Sequence, residues 1–465
     1  MRINTDLGKC EKNRKNRSYY GDSIIRFCGY FVPNSHRVLE IGCGTGDLLA
    51  GLDAAQKTGI DFSPEMIEKA RQKYPGIHFE EMAAENLEFE ESFDTIIMSN
   101  LVGGLPDVDV VIGELHKVTH SGSRIIITTY SHLWEPIIRI AEWLRLKKRS
   151  PIQNWLSLTD LENILYLNGF ETYRRSSDLL FPVGIPVLSR ILNQFVGRLP
   201  LFRSLCVNRY LFARKSPGQQ ARQSEYSTSI IIPARNEAGN IEEAVRRIPC
   251  FGKHVEIIFV EGHSTDSTLR TMVEVQEKYV GVHDVKILTQ SGTGKGDAVR
   301  AGFRIATGDV LMILDADLTV PPEELPRFYE AMKNRKGEFI NGVRLVYPME
   351  RNAMRPLNTL GNHFFGLMFS WLLGQPIKDT LCGTKVLFRK DYEVLEQSRN
   401  YFGDFDPFGD FDLLFGAHKL NLKMVDLPIH YKERKYGNTN IRRFRHGFLL
   451  LKMSVFAAVR IKFRM

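Results

Sequence analysis

Apolar residues along the chain gather in short clusters: residues 37–41, 255–260 and 285–289 read as strands although Glu40, Glu256 and Lys286 interrupt them, and 229–233 (Ser-Ile-Ile-Ile-Pro) reads as a buried one. The plainest is 309–314 (Asp-Val-Leu-Met-Ile-Leu), apolar without alternation after Asp309. Runs of this kind predict strands buried on both faces, as in a sheet covered by helices on either side. Helices are predicted between them. One spans 47–52, one follows Ser63 as N-cap with Pro64 at the first helical position, and one spans 241–248. This alternation starts twice. Residues 214–225 are polar and lack apolar periodicity, so they read as a connecting segment. The chain accordingly divides into a domain over 1–218, a linker over 219–228 and a second domain over 229–465. A length of 465 residues also exceeds one ordinary domain. The expected fold class is α/β, in two domains.

The composition, 43% hydrophobic and 25% charged, is that of a folded globular protein. Six scattered cysteines without a Cys-x-x-Cys pair argue against structural zinc and fit a reducing cytoplasm. The first residues are polar and basic without an apolar core, so no secretory signal is expected. The net charge of +8 is uneven: Lys432 to Met465 holds ten Lys/Arg against one acid, and Met1 to Arg26 holds seven against three. The stretch between is mildly acidic. That distribution excludes a general nucleic-acid binder and suits a tail that meets phosphates or an anionic membrane. Residues 364–373 are apolar over only about half the length that spans a bilayer. Residues 447–463 are mostly apolar but interrupted by Lys452, Arg460 and Lys462. Both read as interfacial helices, giving a cytoplasmic protein with peripheral contact at the inner face of the membrane.

The loops after the strands carry the chemistry. Gly42-Cys43-Gly44-Thr45-Gly46 makes a tight turn after 37–41, where glycine allows positive φ and the close approach of a ligand. Asp61 ends the next strand, where an acid can accept hydrogen bonds from both ribose hydroxyls of a nucleoside. Strand, glycine turn, helix, strand and acid in this order resemble the class I S-adenosylmethionine-dependent methyltransferases, over roughly residues 19–213. The resemblance implies a Rossmann-like fold with S-adenosylmethionine as cofactor. In that family Glu40 opens the first motif, Gly42, Gly44 and Gly46 line the methionine part of the cofactor, and Asp61 holds the ribose. Ala84-Glu85-Asn86-Leu87 looks like the adenine-side segment, and residues 93–100, closing on Asn100, look like the fourth strand. Ala83 stands where many relatives carry Asp, and Gly103-Gly104 where many carry Glu-His. No general base is evident, although methyl transfer from a sulfonium can proceed mainly by positioning.

In the second half four successive strands lead into polar or glycine-rich loops on one sheet edge. These loops hold residues 234–240, 261–268, 292–296 and Asp315-Ala316-Asp317. Two carboxylates one residue apart repel unless a cation sits beside them, and Mg²⁺ favours few carboxylates plus substrate phosphates. On residues alone this triplet is either a solvated turn or the metal end of a nucleotide site. The order of loops resembles the family 2 glycosyltransferases, with a GT-A nucleotide-sugar domain over about 226–445. By that resemblance Pro233 and Glu237 flank base and ribose, Glu261 reaches the base, and Asp315 and Asp317 hold Mg²⁺ or Mn²⁺ on the diphosphate. Transfer from the nucleotide-sugar would proceed by direct displacement with inversion. Lys295, in a glycine-rich loop, would contact the diphosphate. Residues 378–385, 408–413 and 433–441 resemble later motifs of the polyprenyl-phosphate sugar synthases. There Lys385, Arg434 and Lys435 would bind phosphate, while Thr384 replaces a frequent aromatic. A polyprenyl phosphate acceptor needs no general base. A glycan hydroxyl needs one, for which Asp410 or Asp412 would serve. The cationic loops tip the expectation toward phosphate. The whole reads as a bifunctional enzyme with both activities in one glycan or glycolipid pathway. The alternative is transfer to a glycan hydroxyl, with the first domain a non-catalytic S-adenosylmethionine-binding module.

Overall fold

The computed structural model describes residues 19–131, 134–135, 140, 156–185, 187–216, 225–346, 356–397, 409–434, 436 and 443–463. The chain divides into two compact units, the first ending at Ser216 and the second running from Pro217 to Ile461, with Lys462 onward grouped with the first.

The first unit is built on β1 (Arg37–Ile41), β2 (Gln56–Asp61), β3 (His78–Glu81), β4 (Phe93–Ser99), β5 (Thr119–Tyr130), β6 (Phe170–Asp178) and β7 (Asn208–Lys215). They pair in the order β3-β2-β1-β4-β5-β7-β6. The first five in that order are parallel, and β7 runs antiparallel to both β5 and β6. Val38, Leu39, Ile96, Ile97, Ile125 and Ile127 are fully enclosed, so neighbouring positions of these strands are apolar on both faces. The helix Pro64–Lys73 begins as its sequence dictates, with Ser63 Oγ accepting from Met66 N.

The second unit carries β8 (Ser227–Ala234), β9 (His254–Glu261), β10 (Asp284–Thr289), β11 (Val310–Ile313), β12 (Phe339–Val343), β13 (Lys385–Phe388) and β14 (Met424–Pro428). Their order is β10-β9-β8-β11-β13-β12-β14. The first four are parallel, β13 is antiparallel to β11 and β12, and β12 and β14 are parallel. β8 starts two residues ahead of the boundary at 229, because Ser227 Oγ and N both donate to Asp309 and pull the chain into register early. Ile230, Ile232, Phe259, Val310 and Met312 form the middle of its core. The sheets are the Rossmann-like and GT-A folds that the two resemblances imply. In each, strand order reverses between two adjacent parallel strands, β1 and β4 in one and β8 and β11 in the other. The carboxyl ends of the strands at such a reversal are where sheets of this kind bind ligands.

The apolar run at 364–373 is the latter part of an 18-residue helix, Pro356–Leu373. It buries Phe369, Leu372 and Leu373 and exposes Leu360, Phe364 and Leu367. The helix Arg443–Ala458 buries Leu450, Met453 and Ala457 and exposes Leu451 and Val455. Among the described residues, no helix is long and apolar enough to cross a membrane.

Candidate functional site

In the second unit the loops after β8 and β9 are laced together. Asn236 N donates to Ser264 Oγ (3.1 Å), Thr265 N to Asn236 Oδ1 (2.8 Å) and Glu237 N to Thr268 Oγ1 (2.9 Å). Glu237 stands at the start of the helix Ala238–Arg247, where its carboxylate accepts from Asn240 Nδ2 (2.7 Å) and faces Arg434 (3.3 Å). Burial pushes this carboxyl up against the opposing pull of Arg434. Glu261 is buried at the end of β9 and accepts from Ser264 N (2.5 Å). Burial raises its pKa, but the hydrogen bonds from Ser264 outweigh this and hold it below the usual range. Pro233 is half-buried in β8.

β11 delivers Asp315 and Asp317 just past its end. Asp317 Oδ1 accepts from Thr319 N (3.2 Å) and Oγ1 (2.8 Å), and its Oδ2 accepts from Arg434 Nη2 (2.6 Å). Asp315 pairs with Lys295 (2.5 Å), the first residue of the helix Lys295–Ile305. Burial works against both charges, yet the pair prevails: Asp315 is held below the usual carboxylate range and Lys295 above the usual ammonium range. A β-carbon on Gly383 would collide with both members of this pair, so only glycine lets that backbone lie against it. Lys385 is enclosed; its ammonium donates to Cys382 O (2.5 Å) and faces Asp410 (3.3 Å). It would meet a phosphate only if that pair opened. Asp412 faces Arg300 (3.7 Å) instead. Arg344 grips the buried Asp379 in two-pronged fashion (2.7 and 2.9 Å). The fold thus gathers Glu237, Lys295, Asp315, Asp317 and Arg434, encloses Lys385 with Asp410, and turns Asp412 toward a helix. Lys435 lies outside the described residues.

In the first unit Gly42, Gly44 and Gly46 have φ of 74°, 52° and 76°, the left-handed region that glycine enters freely. A β-carbon on Gly42 would collide with Leu101 and one on Gly46 with Phe79, whereas one on Gly44 would meet open space. The turn is therefore packed on two sides and open on the third. Asp61 is fixed beside it, accepting from Gly44 N (2.9 Å) and Ser63 N (3.0 Å). Glu40 is buried in β1, and burial lifts its carboxyl well above the usual value against a hydrogen bond from Leu49. Its Oε2 has no hydrogen-bond partner among the described residues. Glu85 is half-buried in the turn after β3. Asn100 leaves β4 at φ 53°, its N donating to Thr128 Oγ1 (3.0 Å) and its Oδ1 accepting from Tyr20 Oη (3.2 Å). Tyr20 stacks on Tyr130 with centroids 5.6 Å apart. Burial first and Tyr130 second keep its hydroxyl protonated, so it is a lasting donor.

Residues 229–395 match the model of glycosyl transferase family 2, and residues 34–169 match a methyltransferase domain model. The chain joins a methyltransferase domain to a family 2 glycosyltransferase domain. Among curated proteins it is 37% identical over 221 residues to undecaprenyl-phosphate 4-deoxy-4-formamido-L-arabinose transferase of Enterobacter sp. (strain 638), covering 46% of this chain and 62% of that one. It is 38% identical over 106 residues to the transferase of the same name from Klebsiella pneumoniae (strain 342), covering 22% and 32%. The chain therefore spans less than two thirds of either relative. Among solved structures it is similar to a SAM-dependent methyltransferase of Thermotoga maritima, with 20% identity, TM-score 0.35, and coverage of 46% of this chain and 96% of that one. It is also similar to glucosyl-3-phosphoglycerate synthase of Mycobacterium tuberculosis, solved with Mn²⁺, UDP and glucosyl-3-phosphoglycerate (16% identity, TM-score 0.37, coverage 52% and 82%).

Among the described residues of the glycosyltransferase unit, no three His, Cys, Asp or Glu side chains converge into a metal site of their own. Asp315 and Asp317 offer another donor set, two hard carboxylates whose remaining coordination would come from phosphate oxygens. Each already faces a cation, Lys295 or Arg434, so the position attracts positive charge. In the methyltransferase unit the open side of Gly44 and the unpaired Glu40 Oε2 suit a cofactor with a cationic end. Sequence reasoning did not single out Gly383, Arg344 or Tyr20. Gly383 lies inside a segment already marked by its lysine, and a signal was there to be used. For Tyr20 none was, since its partner is 80 positions away.

Proposed function

We infer that the glycosyltransferase unit transfers a sugar from a nucleotide-sugar to a polyprenyl phosphate with inversion, and that the methyltransferase unit methylates an acceptor of the same glycan or glycolipid pathway. The observation that carries this is the gathering of Asp315, Asp317, Lys295 and Arg434 at the β8–β11 reversal. Likeness to transferases named for undecaprenyl phosphate favours a lipid phosphate over a hydroxyl acceptor. Asp315 and Asp317 would hold Mg²⁺ or Mn²⁺, which when bound neutralises the departing diphosphate as a Lewis acid. Lys295 and Arg434 orient and stabilise the same negative charge from fixed positions. Pro233 and Glu237 flank the nucleoside, Glu261 meets the base, and Lys385 and Lys435 serve the phosphate side. A phosphate acceptor arrives as an anion, so Asp410 and Asp412 need not act as bases. In the other unit Gly42, Gly44 and Gly46 cradle S-adenosylmethionine. Glu40 and Asp61 hold its amino and ribose ends, and Glu85 and Asn100 border the adenine.

The test is a D315N/D317N double variant of the full chain, assayed with a panel of nucleotide-sugars, Mn²⁺ and undecaprenyl phosphate. Labelled lipid-linked sugar should vanish while S-adenosylmethionine binding persists. Undiminished lipid product would sink the assignment, and product only on a soluble glycan would move the acceptor to a hydroxyl.

A further inference from the structure

The insertion between β6 and β7, residues 179–207, contains a helix built inside out. Leu188–Gln194 buries Ser189 and Asn193. Ser189 Oγ donates to Val183 O (2.5 Å) and accepts from Ile185 N (2.7 Å). The Asn193 side chain donates to Phe181 O (2.7 Å) and accepts from Phe181 N (2.7 Å). The polar face is thus used to tie the helix down. Its apolar residues face solvent: Leu188, Ile191 and Phe195 are 45, 49 and 52% exposed, and the flanking Val187, Leu199 and Leu201 are 70, 42 and 79% exposed. Leu188, Ile191 and Phe195 share one helical stripe. Surface helices of globular proteins show the reverse arrangement, and a continuous exposed apolar patch marks an interaction surface. Val187 enters the helix at φ 65°, a costly conformation for a branched side chain that the surroundings must enforce.

Charge specifies the partner. Residues 179–207 hold three arginines and no acid. Arg198 pairs with Asp178 (3.4 Å), and Arg203 donates to Arg175 O and to Ser177 Oγ (3.3 Å). Arg190 is exposed, as is Arg26 on the helix Tyr19–Phe31. Both line a cavity of about 340 Å³ whose walls include Ile185 and Val187. Cations beside an exposed apolar face are what an anionic lipid surface recognises.

We propose that this insertion docks the methyltransferase unit onto an anionic lipid bilayer. Its apolar stripe enters the boundary between headgroups and acyl chains, and Arg190 and Arg26 meet lipid phosphates. The insertion belongs to the first unit, and neither proposed reaction has to hold for the proposal to stand. The experiment is co-flotation of the full chain with phosphatidylcholine vesicles, with and without phosphatidylglycerol. The wild-type protein should float with the anionic vesicles. An I191E/F195E variant, altered only at exposed positions, should bind them about tenfold or more weakly while keeping its circular dichroism and its S-adenosylmethionine affinity. R190E should lose the preference for phosphatidylglycerol. Unchanged flotation of I191E/F195E, or no flotation of the wild type, overturns the proposal. So does a wild-type dimer that I191E/F195E converts to monomer without a change in flotation, since the stripe would then face a second copy.

Discussion

Arg434 is the residue on which the proposed donor site turns, because one guanidinium serves both Glu237 (3.3 Å) and Asp317 (2.6 Å). Hydrogen bonds to charged groups contribute about 1.5–3 kcal/mol each. R434A should therefore lower kcat/KM for sugar transfer by roughly 10–100-fold, measured with saturating metal and varied donor. Asp379 shows the same economy in a structural setting. Burial pushes its carboxyl up, Arg344 overrides this, and the pKa ends below the usual range. A carboxyl depressed in the folded state stabilises it above the unfolded value of about 3.9 and loses that contribution as pH falls through the folded value. D379N should cost about 3–5 kcal/mol at neutral pH by stranding Arg344, and it should flatten the loss of stability below about pH 4. Calorimetry across pH checks both. Neither pair was legible in the sequence. A carboxylate announces itself as a residue type, but its partner is settled by a fold that brings together positions 197 and 117 apart for Arg434 alone.

Elements were far more legible than partners. The strand over 309–314 could be read because a strand covered on both faces leaves an unbroken apolar run; those over 37–41 and 255–260 could be read from apolar clusters that Glu40 and Glu256 interrupt without hiding. The glycine turn could be read because positive φ is cheap only for glycine. The helix Pro356–Leu373 was half legible: its last ten residues are apolar apart from Ser370, but its first turns carry Asn, Thr and His, which helices tolerate without advertising them. The helix Leu188–Gln194 was not legible, because its apolar residues are the exposed ones. The glycine turn also yields a discriminating pair of variants. G44A adds a methyl that meets no protein atom, so its stability cost should be only the roughly 1–2 kcal/mol of a left-handed alanine, while S-adenosylmethionine affinity collapses. G42A drives into Leu101 and adds overpacking of about 1–3 kcal/mol to the same strain. Thermal melting alongside titration calorimetry separates the two.

At the scale of the whole molecule, two units, each with its own proposed ligand, should melt as two ligand-addressable transitions. At a hundredfold excess over Kd, a ligand stabilises its own unit by about 2.7 kcal/mol. S-adenosylmethionine should therefore raise one transition, and a nucleoside diphosphate with Mn²⁺ the other. A shift of both by either ligand would show the units to be energetically coupled. The reversal of strand order in each sheet also bears on how the chain becomes native. β8 meets β11 by pairing Thr228 with Val310, and β1 meets β4 by pairing Val38 with Thr95. Both contacts join positions far apart in sequence, and closing loops of that length slows a search. The two strand reversals are therefore expected to form late, which phi-value analysis at β8 and β11 would check. During synthesis the earlier unit can complete its own before the later one has left the ribosome. A lesion that merely delays pairing at β8 and β11 would leave a collapsed, soluble-looking chain whose donor site had never been assembled.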